Sequence, residues 1–339
     1  MKPLLLTLCL LLLPTAQAQT PTPHFPWPPT SAHPQIPLWP GTPPNAQPTT
    51  SPERTWTDST SLIAGRPVTG VDNVSIPTLT IYSPTTHNTG AAILVFPGGG
   101  YSMLAIDLEG TEVCDWLVTR GITCIVLKYR VPGVHMYAPP AYPHSGAYPE
   151  TPIALEDAQR AMGILRLHAA QWHINPHKLG VLGFSAGGHL VAAISNHYQH
   201  RLYPLIDAAD HQSCRPDFAI ALYPGHLSLA GAQYDASLSP HKFLIHPPPN
   251  ANELSLNPDL RPNAQTPPTF LLQAEDDHVD NVDDALAYYI ALKNAHVPTE
   301  LHLYAQGNHA FGLRHTNLPI TDWPHLVNTW LTTIGMTPN

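Results

Sequence analysis

Between residues 178 and 190 the sequence reads Lys-Leu-Gly-Val-Leu-Gly-Phe-Ser-Ala-Gly-Gly-His-Leu. Its first half is apolar, like a buried strand, and its second half is rich in small residues that suit a helix. Gly183 and Gly187 flank Ser185 in a G-x-S-x-G pattern, which is typical of a sharp strand-to-helix turn that exposes a nucleophilic serine. Glycine is needed on both sides because the two backbones approach closely there. The stretch therefore predicts a serine nucleophile, and the alternative is a tight glycine turn without chemistry.

Outward from this turn, apolar runs alternate along the chain with stretches of helical spacing. The patterns predict strands at 74–82, 91–96, 122–127, 179–184, 217–223, 269–274 and 300–304, and helices at 109–119, 150–172, 186–195, 282–294 and 323–334. Continuous apolar strands that alternate with helices are typical of parallel sheets covered on both faces. The sequence therefore predicts an α/β fold with a mostly parallel central sheet and helices on both faces.

Polar residues follow two of the later predicted strands. Asp276 and Asp277 come directly after the strand at 269–274, and His309 follows the strand at 300–304. A serine, an acid and a histidine at three strand ends, in that chain order, are typical of serine hydrolases of the α/β type. Asp276 is predicted to orient His309 because it comes first at the strand end, which leaves Asp277 to begin the loop and cap the next helix.

An early glycine loop completes the predicted site. Pro97-Gly98-Gly99-Gly100 follows the apolar strand at 91–96. Backbone N–H groups in such a loop, together with the N–H of the residue after the nucleophile, can stabilise a developing oxyanion. The predicted oxyanion hole is therefore formed by Gly99, Gly100 and Ala186.

The chain resembles the α/β-hydrolase superfamily, in particular secreted bacterial esterases related to acetyl-xylan esterases and hormone-sensitive-lipase-like carboxylesterases. The resemblance spans 74–334 and is carried by Pro97-Gly98-Gly99-Gly100-Tyr101, Lys128-Tyr129-Arg130, Leu155-Glu156-Asp157-Ala158, Gly183-Phe184-Ser185-Ala186-Gly187-Gly188-His189, Glu275-Asp276-Asp277 and Gly307-Asn308-His309-Ala310-Phe311. It implies a cofactor-free ester hydrolase with Ser185 as nucleophile, His309 as base and Asp276 as acid. Two positions depart from the family pattern: Pro97 replaces a histidine, and Asp280 stands where proline is common.

The resemblance also implies a substrate class, namely short acyl esters, chiefly acetyl esters, on small or polymeric carbohydrate. Two irregular stretches, 131–149 and 227–268, are either pocket walls or surface elaborations. The first contains aromatic and imidazole side chains that suit sugars: His135, Tyr137, Tyr142, His144 and Tyr148. The alternatives are a prolyl-oligopeptidase-like serine peptidase and a catalytically silent binding protein with this fold. Oligomeric state is left open.

The N-terminal region divides into two segments before the predicted catalytic domain, 53–339. Residues 1–18 carry a lysine, an apolar run and an Ala16-Gln17-Ala18 site, which together predict a cleaved secretory signal. Residues 19–52 are rich in proline and threonine and predict a disordered leader or tether. The two tryptophans of this segment, Trp27 and Trp39, either dock on the domain or are exposed.

Composition excludes several classes of protein. The 339 residues carry a net charge of −9 without a basic cluster, which argues against nucleic acid as a partner. None of the 21 histidines falls in an H-E-x-x-H motif, so no catalytic metal is expected. After signal removal no membrane span is predicted. Three cysteines remain, Cys114, Cys124 and Cys214; a bridge between the first two fits their positions, but the pairing stays open.

Overall fold

The computed structural model describes residues 27, 32–47, 51–131, 152–228 and 254–338. Its strands are β1 (Gln35–Pro37), β2 (Arg54–Ile63), β3 (Arg66–Asp72), β4 (Thr78–Tyr82), β5 (Ala92–Phe96), β6 (Met103–Ala105), β7 (Thr123–Lys128), β8 (Leu179–Phe184), β9 (Ala219–Leu222), β10 (Thr269–Ala274) and β11 (Thr299–Tyr304). Its α-helices are α1 (Glu112–Thr119), α2 (Pro152–Leu167), α3 (Ala186–Asn196), α4 (Val282–Asn294) and α5 (Trp323–Thr333).

Eight strands form the central sheet in the order β1-β4-β7-β5-β8-β9-β10-β11. Six neighbouring strands, β7-β5-β8-β9-β10-β11, are parallel to one another. At one edge of the sheet, β4 pairs antiparallel with β7, and β1 pairs antiparallel with β4. β5, β7, β8, β9 and β10 are buried throughout, as their continuous apolar sequences require. The predicted α/β fold class, with a mostly parallel sheet flanked by helices, is confirmed.

A second sheet, which the sequence analysis did not predict, has the order β2-β3-β6. β2 and β3 form a hairpin whose two-residue turn has positive φ at Ala64 and Gly65, with Ile63 paired to Arg66. Such a turn matches the twist of the strands it joins. β6 follows directly on the glycine loop, so this small sheet lies next to the predicted site. It escaped prediction because β2 is dominated by threonine, serine and charged residues.

The helix that was predicted at 109–119 begins differently. Residues Asp107–Thr111 form a single π-helical turn, and the α-helical part starts only at Glu112. Leu108, Glu109 and Gly110 in that turn are buried. Single π turns within helices are frequent at functional sites, where they re-aim a side chain. Here the turn directs Glu109 toward the glycine loop, as described below.

Part of the N-terminal leader is ordered, contrary to the predicted disorder of 19–52. β1 pairs with β4, and the Leu38 amide donates to the Pro77 carbonyl at 3.0 Å. Leu38 and Trp39 are 1% and 5% exposed, and Trp39 Nε1 donates to Asp157 Oδ1 at 2.8 Å. These backbone bonds and the burial of a large indole offset the entropy of ordering a proline-rich segment. The predicted signal segment, 1–18, lies outside the described residues.

The pairing that the sequence left open is a disulfide between Cys114 in α1 and Cys124 in β7. The two residues are ten positions apart, and the bridge ties the helix to the strand that follows it. Cys214 is a buried free thiol that donates to the Tyr198 carbonyl at 3.1 Å.

Candidate active site

Ser185 occupies the turn between β8 and α3 with φ of 50° and ψ of −122°, a conformation that L-residues rarely adopt. Gly183 and Gly187 make this turn feasible. A Cβ at Gly183 would lie 2.1 Å from the Gly187 carbonyl oxygen, and a Cβ at Gly187 would lie 2.0 Å from the Phe96 carbonyl oxygen. The predicted strained turn is therefore present, and it holds the Ser185 side chain at the carboxyl end of the sheet.

His309 lies between Ser185 and an aspartate. Its Nε2 is 3.0 Å from Ser185 Oγ, and its Nδ1 is 2.7 Å from Asp277 Oδ2. The Asp277 carboxylate is fully buried, and its Oδ1 accepts the backbone N–H groups of Val279 and Asp280 at 2.9 and 3.0 Å. With Nδ1 donating to Asp277, Nε2 is free to accept the proton of the serine hydroxyl.

The structure corrects the predicted acid, because Asp277 and not Asp276 contacts His309. Asp276 is exposed, and its Oδ1 accepts the backbone N–H groups of Gly307 and Asn308 at 2.8 and 2.6 Å. It therefore shapes the loop that leads to His309 instead of touching the ring. After β10 the chain turns, with the Asp277 amide bonded to the Ala274 carbonyl, so it is the second aspartate whose side chain is buried beneath the imidazole.

The electrostatic environment of His309 favours the protonated imidazole. Burial lowers its pKa, but the hydrogen bond to Asp277 and the charges of Asp280, Asp277 and Glu109 outweigh burial, so the net shift is upward. An opposite charge near an imidazole stabilises the imidazolium that forms when a serine is deprotonated.

The glycine loop predicted as part of an oxyanion hole lies beside Ser185. Gly99 and Gly100 have φ of 127° and 59°, and a Cβ at Gly99 would lie 2.2 Å from Met103 Sδ. Both glycines and Ala186 line the same cavity as Ser185 and His309. Within the described part of the chain, no hydrogen bond uses the amides of these three residues. The amides of Gly99, Gly100 and Ala186 thus have no hydrogen-bond acceptor among the described residues.

Sequence reasoning missed the side chain that anchors this loop, which is Glu109. Its Oε2 accepts the Gly98 amide at 2.7 Å, and its Oε1 accepts the Tyr223 hydroxyl at 2.8 Å. The Tyr223 ring in turn packs 4.9 Å from the ring of His309. Burial raises the pKa of Glu109, opposed by the hydrogen bond from Tyr223. A glutamate between Leu108 and Gly110, shortly after the glycine loop in the chain, was the available signal.

The start of the loop is fixed without the histidine that the family pattern has at position 97. Tyr129 Oη donates to the Pro97 carbonyl at 2.6 Å, and both residues are buried. Tyr129 belongs to the Lys128-Tyr129-Arg130 motif, so this motif supports the loop from the neighbouring strand.

Asp280 is a second carboxylate beside the nucleophile. Its Oδ2 lies 3.3 Å from Ser185 Oγ and 3.8 Å from His309 Nε2, and the residue is 9% exposed. Burial raises its pKa, opposed by the charge of His309. Sequence reasoning had noted Asp280 only as a departure from the family pattern.

The cavity in front of Ser185 has a volume of about 370 Å³. One wall comes from the small sheet, through Trp56, Ile63 and Val68, and the opposite side carries Asp280 and His226. A neighbouring cavity of about 530 Å³ shares Trp56 with it. The stretches predicted as pocket walls fall mainly at 132–151 and 229–253, outside the described residues, as do the aromatic and imidazole residues singled out there.

Two residues that the sequence left ambiguous are structural. Asp157 is buried and accepts the backbone N–H of Arg130 at 2.9 Å and the Arg130 guanidinium, so it braces the segment after β7. His189 is fully buried with Nδ1 2.5 Å from Tyr101 Oη, and burial lowers its pKa well below the usual value. It is therefore a neutral imidazole in the core beneath the glycine loop.

The described residues contain no cluster of three or more histidine, cysteine, aspartate or glutamate side chains that could hold a metal ion. Nor does any helix in that part of the chain have the length and apolar character needed to cross a membrane.

Comparison with known proteins places this site in a family context. A family model described as the alpha/beta hydrolase fold matches residues 93–313. An acetylxylan esterase from Xylanibacter ruminicola is 32% identical over 229 residues, which are 66% of this chain and 42% of that protein. An endo-1,4-beta-xylanase B from Butyrivibrio fibrisolvens is 29% identical over 240 residues, which are 69% of this chain and 34% of that protein. The chain thus spans less than half the length of either relative.

Among solved structures, an acetyl ester-xyloside bifunctional hydrolase from Caldicellulosiruptor lactoaceticus superposes with a TM-score of 0.65 and 31% sequence identity. The match covers 89% of this chain and 97% of that chain.

Proposed function

The chain belongs to the alpha/beta hydrolase fold family, and on that premise we propose that it is a serine hydrolase of carboxylic esters. One observation carries the proposal: the hydrogen-bonded series from Ser185 through His309 to the buried Asp277. Gly99, Gly100 and Ala186 line the same cavity as Ser185 and His309. This arrangement supports acyl transfer without a cofactor.

The proposed reaction follows from the positions of these groups. His309 Nε2 takes the proton of Ser185 Oγ as the oxygen attacks the ester carbonyl, and the Gly99, Gly100 and Ala186 amides donate to the oxyanion. His309 then gives the proton to the leaving alcohol, which departs as the acyl-enzyme forms. Water, deprotonated by His309, attacks the acyl-enzyme, and the carboxylic acid is released. Asp277 keeps Nδ1 protonated throughout and balances the imidazolium charge.

A fluorophosphonate probe tests the nucleophile directly. We expect it to label the protein at Ser185 and to inactivate it, with hydrolysis of 4-nitrophenyl acetate as the activity. Ser185→Ala should abolish both labelling and hydrolysis, whereas Ser195→Ala, which removes a buried hydroxyl near the C-terminal end of α3, should keep both. Labelling that survives in Ser185→Ala would contradict the proposal.

The proposed substrates are short acyl esters, chiefly acetyl esters, on carbohydrate. The support is the named activities of two relatives, an acetylxylan esterase and an acetyl ester-xyloside hydrolase, and a cavity of about 370 Å³ with a tryptophan in its wall. Each methylene added to a substrate changes binding by only about 1–3 kcal/mol. Values of kcat/KM on 4-nitrophenyl esters should therefore fall gradually from acetate to octanoate, and acetylated xylan should release acetate. Higher activity on octanoate, or cleavage of Pro-amides alone, would contradict this substrate class.

The protein is further proposed to be exported by the segment 1–18. The support is the Ala16-Gln17-Ala18 site and the Cys114–Cys124 disulfide, a bond that persists in oxidising compartments. N-terminal sequencing of exported protein should give Gln19 as the first residue. Exported protein that retains Met1 would argue against a cleaved signal.

A further inference from the structure

The carboxylate of Asp280 is buried at the centre of the site with one hydrogen-bond donor among the described residues, the hydroxyl of Ser185 at 3.3 Å. Room for it is kept by Gly225, where a Cβ would lie 2.2 Å from Asp280 Oδ1. A carboxylate has two oxygens and about four acceptor positions, and burying it without donors is costly. The site therefore holds acceptor capacity that the protein itself leaves largely unused.

The position of Asp280 is fixed by its own backbone. Its N–H donates to Asp277 Oδ1 at 3.0 Å, and its carbonyl accepts Gln273 Nε2 at 2.9 Å. Both partners are buried, so the carboxylate is pre-organised at the cavity surface and does not depend on a mobile side chain. Pre-organised acceptors are what a site uses to select a polar substrate group.

Attack by Ser185 removes the one donor that Asp280 has. The serine hydroxyl carries a single proton, which it can offer either to Asp280 Oδ2 or to His309 Nε2, and which passes to Nε2 when the oxygen attacks. From that moment Asp280 lacks a donor unless the substrate brings one. Its Oδ2 lies 3.8 Å from His309 Nε2, the atom that returns the proton to the leaving alcohol, so it faces the alcohol part of the ester.

We infer that Asp280 is a specificity-determining residue that accepts a hydrogen bond from a free hydroxyl next to the ester oxygen. The preferred substrates are then partial esters of polyols, such as a pyranose with one hydroxyl acylated and its neighbour free. Fully acylated sugars and esters of simple alcohols lack this donor. The inference rests on the proposed ester hydrolysis and narrows the alcohol that the site selects.

A matched pair of substrates tests the inference: methyl 2-O-acetyl-β-xylopyranoside and its 3-deoxy-3-fluoro analogue, which has a similar shape but no donor at that carbon. For the wild type, the ratio of their kcat/KM values should favour the free hydroxyl by roughly 10–100-fold, as expected for a hydrogen bond to a charged acceptor. In Asp280→Ala the ratio should fall to about 1, and in Asp280→Asn, a weaker neutral acceptor, it should be intermediate.

Asp283→Asn is the matched control, because it neutralises a carboxylate in the same segment that does not line the cavity, and its ratio should stay at the wild-type value. A wild-type ratio near 1, or a high ratio that persists in Asp280→Ala, would overturn the inference. If Asp280→Ala does not fold, the wild-type ratio and that of Asp280→Asn still decide it. Absence of 4-nitrophenyl acetate hydrolysis by the wild type would overturn the proposed function, and this inference with it.

Discussion

At the scale of single residues, the site is governed by which carboxylates face the His309 ring. Asp277 accepts from Nδ1, Asp280 lies 3.8 Å from Nε2, and Asp276 touches neither nitrogen. Three aspartates within five residues thus have three different surroundings, and the tasks we propose for them are to orient the base, to face the substrate and to hold the loop before the histidine. Asp→Asn substitutions keep the shape of each side chain and remove its charge, so they can separate these tasks.

We expect Asp277→Asn to lower kcat on 4-nitrophenyl acetate by up to ~10⁴-fold, because an asparagine no longer fixes the productive tautomer. Asp276→Asn should be far milder, since its amide oxygen can still accept the Gly307 and Asn308 amides. Steady-state kinetics of both variants, with circular dichroism to verify folding, give the comparison. A larger loss in Asp276→Asn would return the orienting role to the first aspartate.

The pH profile should report the raised pKa of His309. The neutral imidazole is the reactive form, so kcat/KM should fall as the pH drops through a pKa above the usual value of about 6.5. The Asp280 charge is one cause of that increase, and Asp280→Asn should therefore move the acidic limb to lower pH. Profiles of kcat/KM from pH 5 to 9 for both proteins measure the shift. An acidic limb that moves upward in the variant would contradict the assigned electrostatics.

Sequence patterns pointed to Ser185 and His309 because each follows a recognisable strand, an apolar one before Ser185 and an alternating one before His309. They could not choose between Asp276 and Asp277, since consecutive residues at a strand end point in different directions and the turn that follows selects one. Glu109 and Asp280 were missed as site residues for a related reason. Their importance comes from partners distant in the chain, such as Gly98 and Ser185, which no local pattern contains.

At the scale of elements, the buried parallel strands were predictable from their continuous apolar sequences, whereas β1 at one edge of the central sheet and the strands of the small sheet were not. β2 alternates only weakly, and β1 lies in a segment whose proline content argues against a strand. Both are stabilised by pairing with another strand. Tertiary contacts of this kind override local propensity, which is why composition predicted disorder in the segment that contains β1 and why no strand was predicted at β2.

The disulfide is a bond between elements, α1 and β7, and its loss should lower the stability of the fold. Closing a loop of about ten residues in the unfolded chain is worth roughly 2–3 kcal/mol. The double variant Cys114→Ser/Cys124→Ser should therefore unfold at lower urea concentration than the oxidised wild type. Dithiothreitol should shift the wild-type midpoint toward that of the variant and leave the variant unchanged. An equal shift in both proteins would show that the reductant acts elsewhere.

At the scale of the whole molecule, the segment 32–47 closes one edge of the sheet. The Trp39 indole lies between the guanidinium groups of Arg130 and Arg160, at 5.8 and 5.5 Å, and donates to Asp157. Arg130 lies in the segment that follows β7, and Asp157 lies in α2. The N-terminal segment therefore connects distant parts of the domain. It is an integral part of the fold.

Removal of this segment should therefore destabilise the protein. Trp39→Ala should cost about 3–5 kcal/mol of unfolding free energy, as for other buried tryptophans, and deletion of 1–52 should cost at least as much. Deletion of 1–26 is the matched control, because it keeps β1, Trp27 and Trp39. Thermal melts and urea titrations compare the three. Equal stability of the 1–52 and 1–26 deletions would mean that the segment is a tether after all.

The bond from Trp39 to Asp157 joins residues 118 positions apart, and it has a consequence for the order of events during synthesis. A ribosome releases Trp39 long before α2 exists, so the Trp39 indole lacks its Asp157 partner while most of the first half of the domain emerges. Contacts of such high sequence separation form late, after the loop-closure entropy of the intervening chain has been overcome. The nascent protein should thus gain this contact, and the stability that comes with it, only after α2 has left the ribosome.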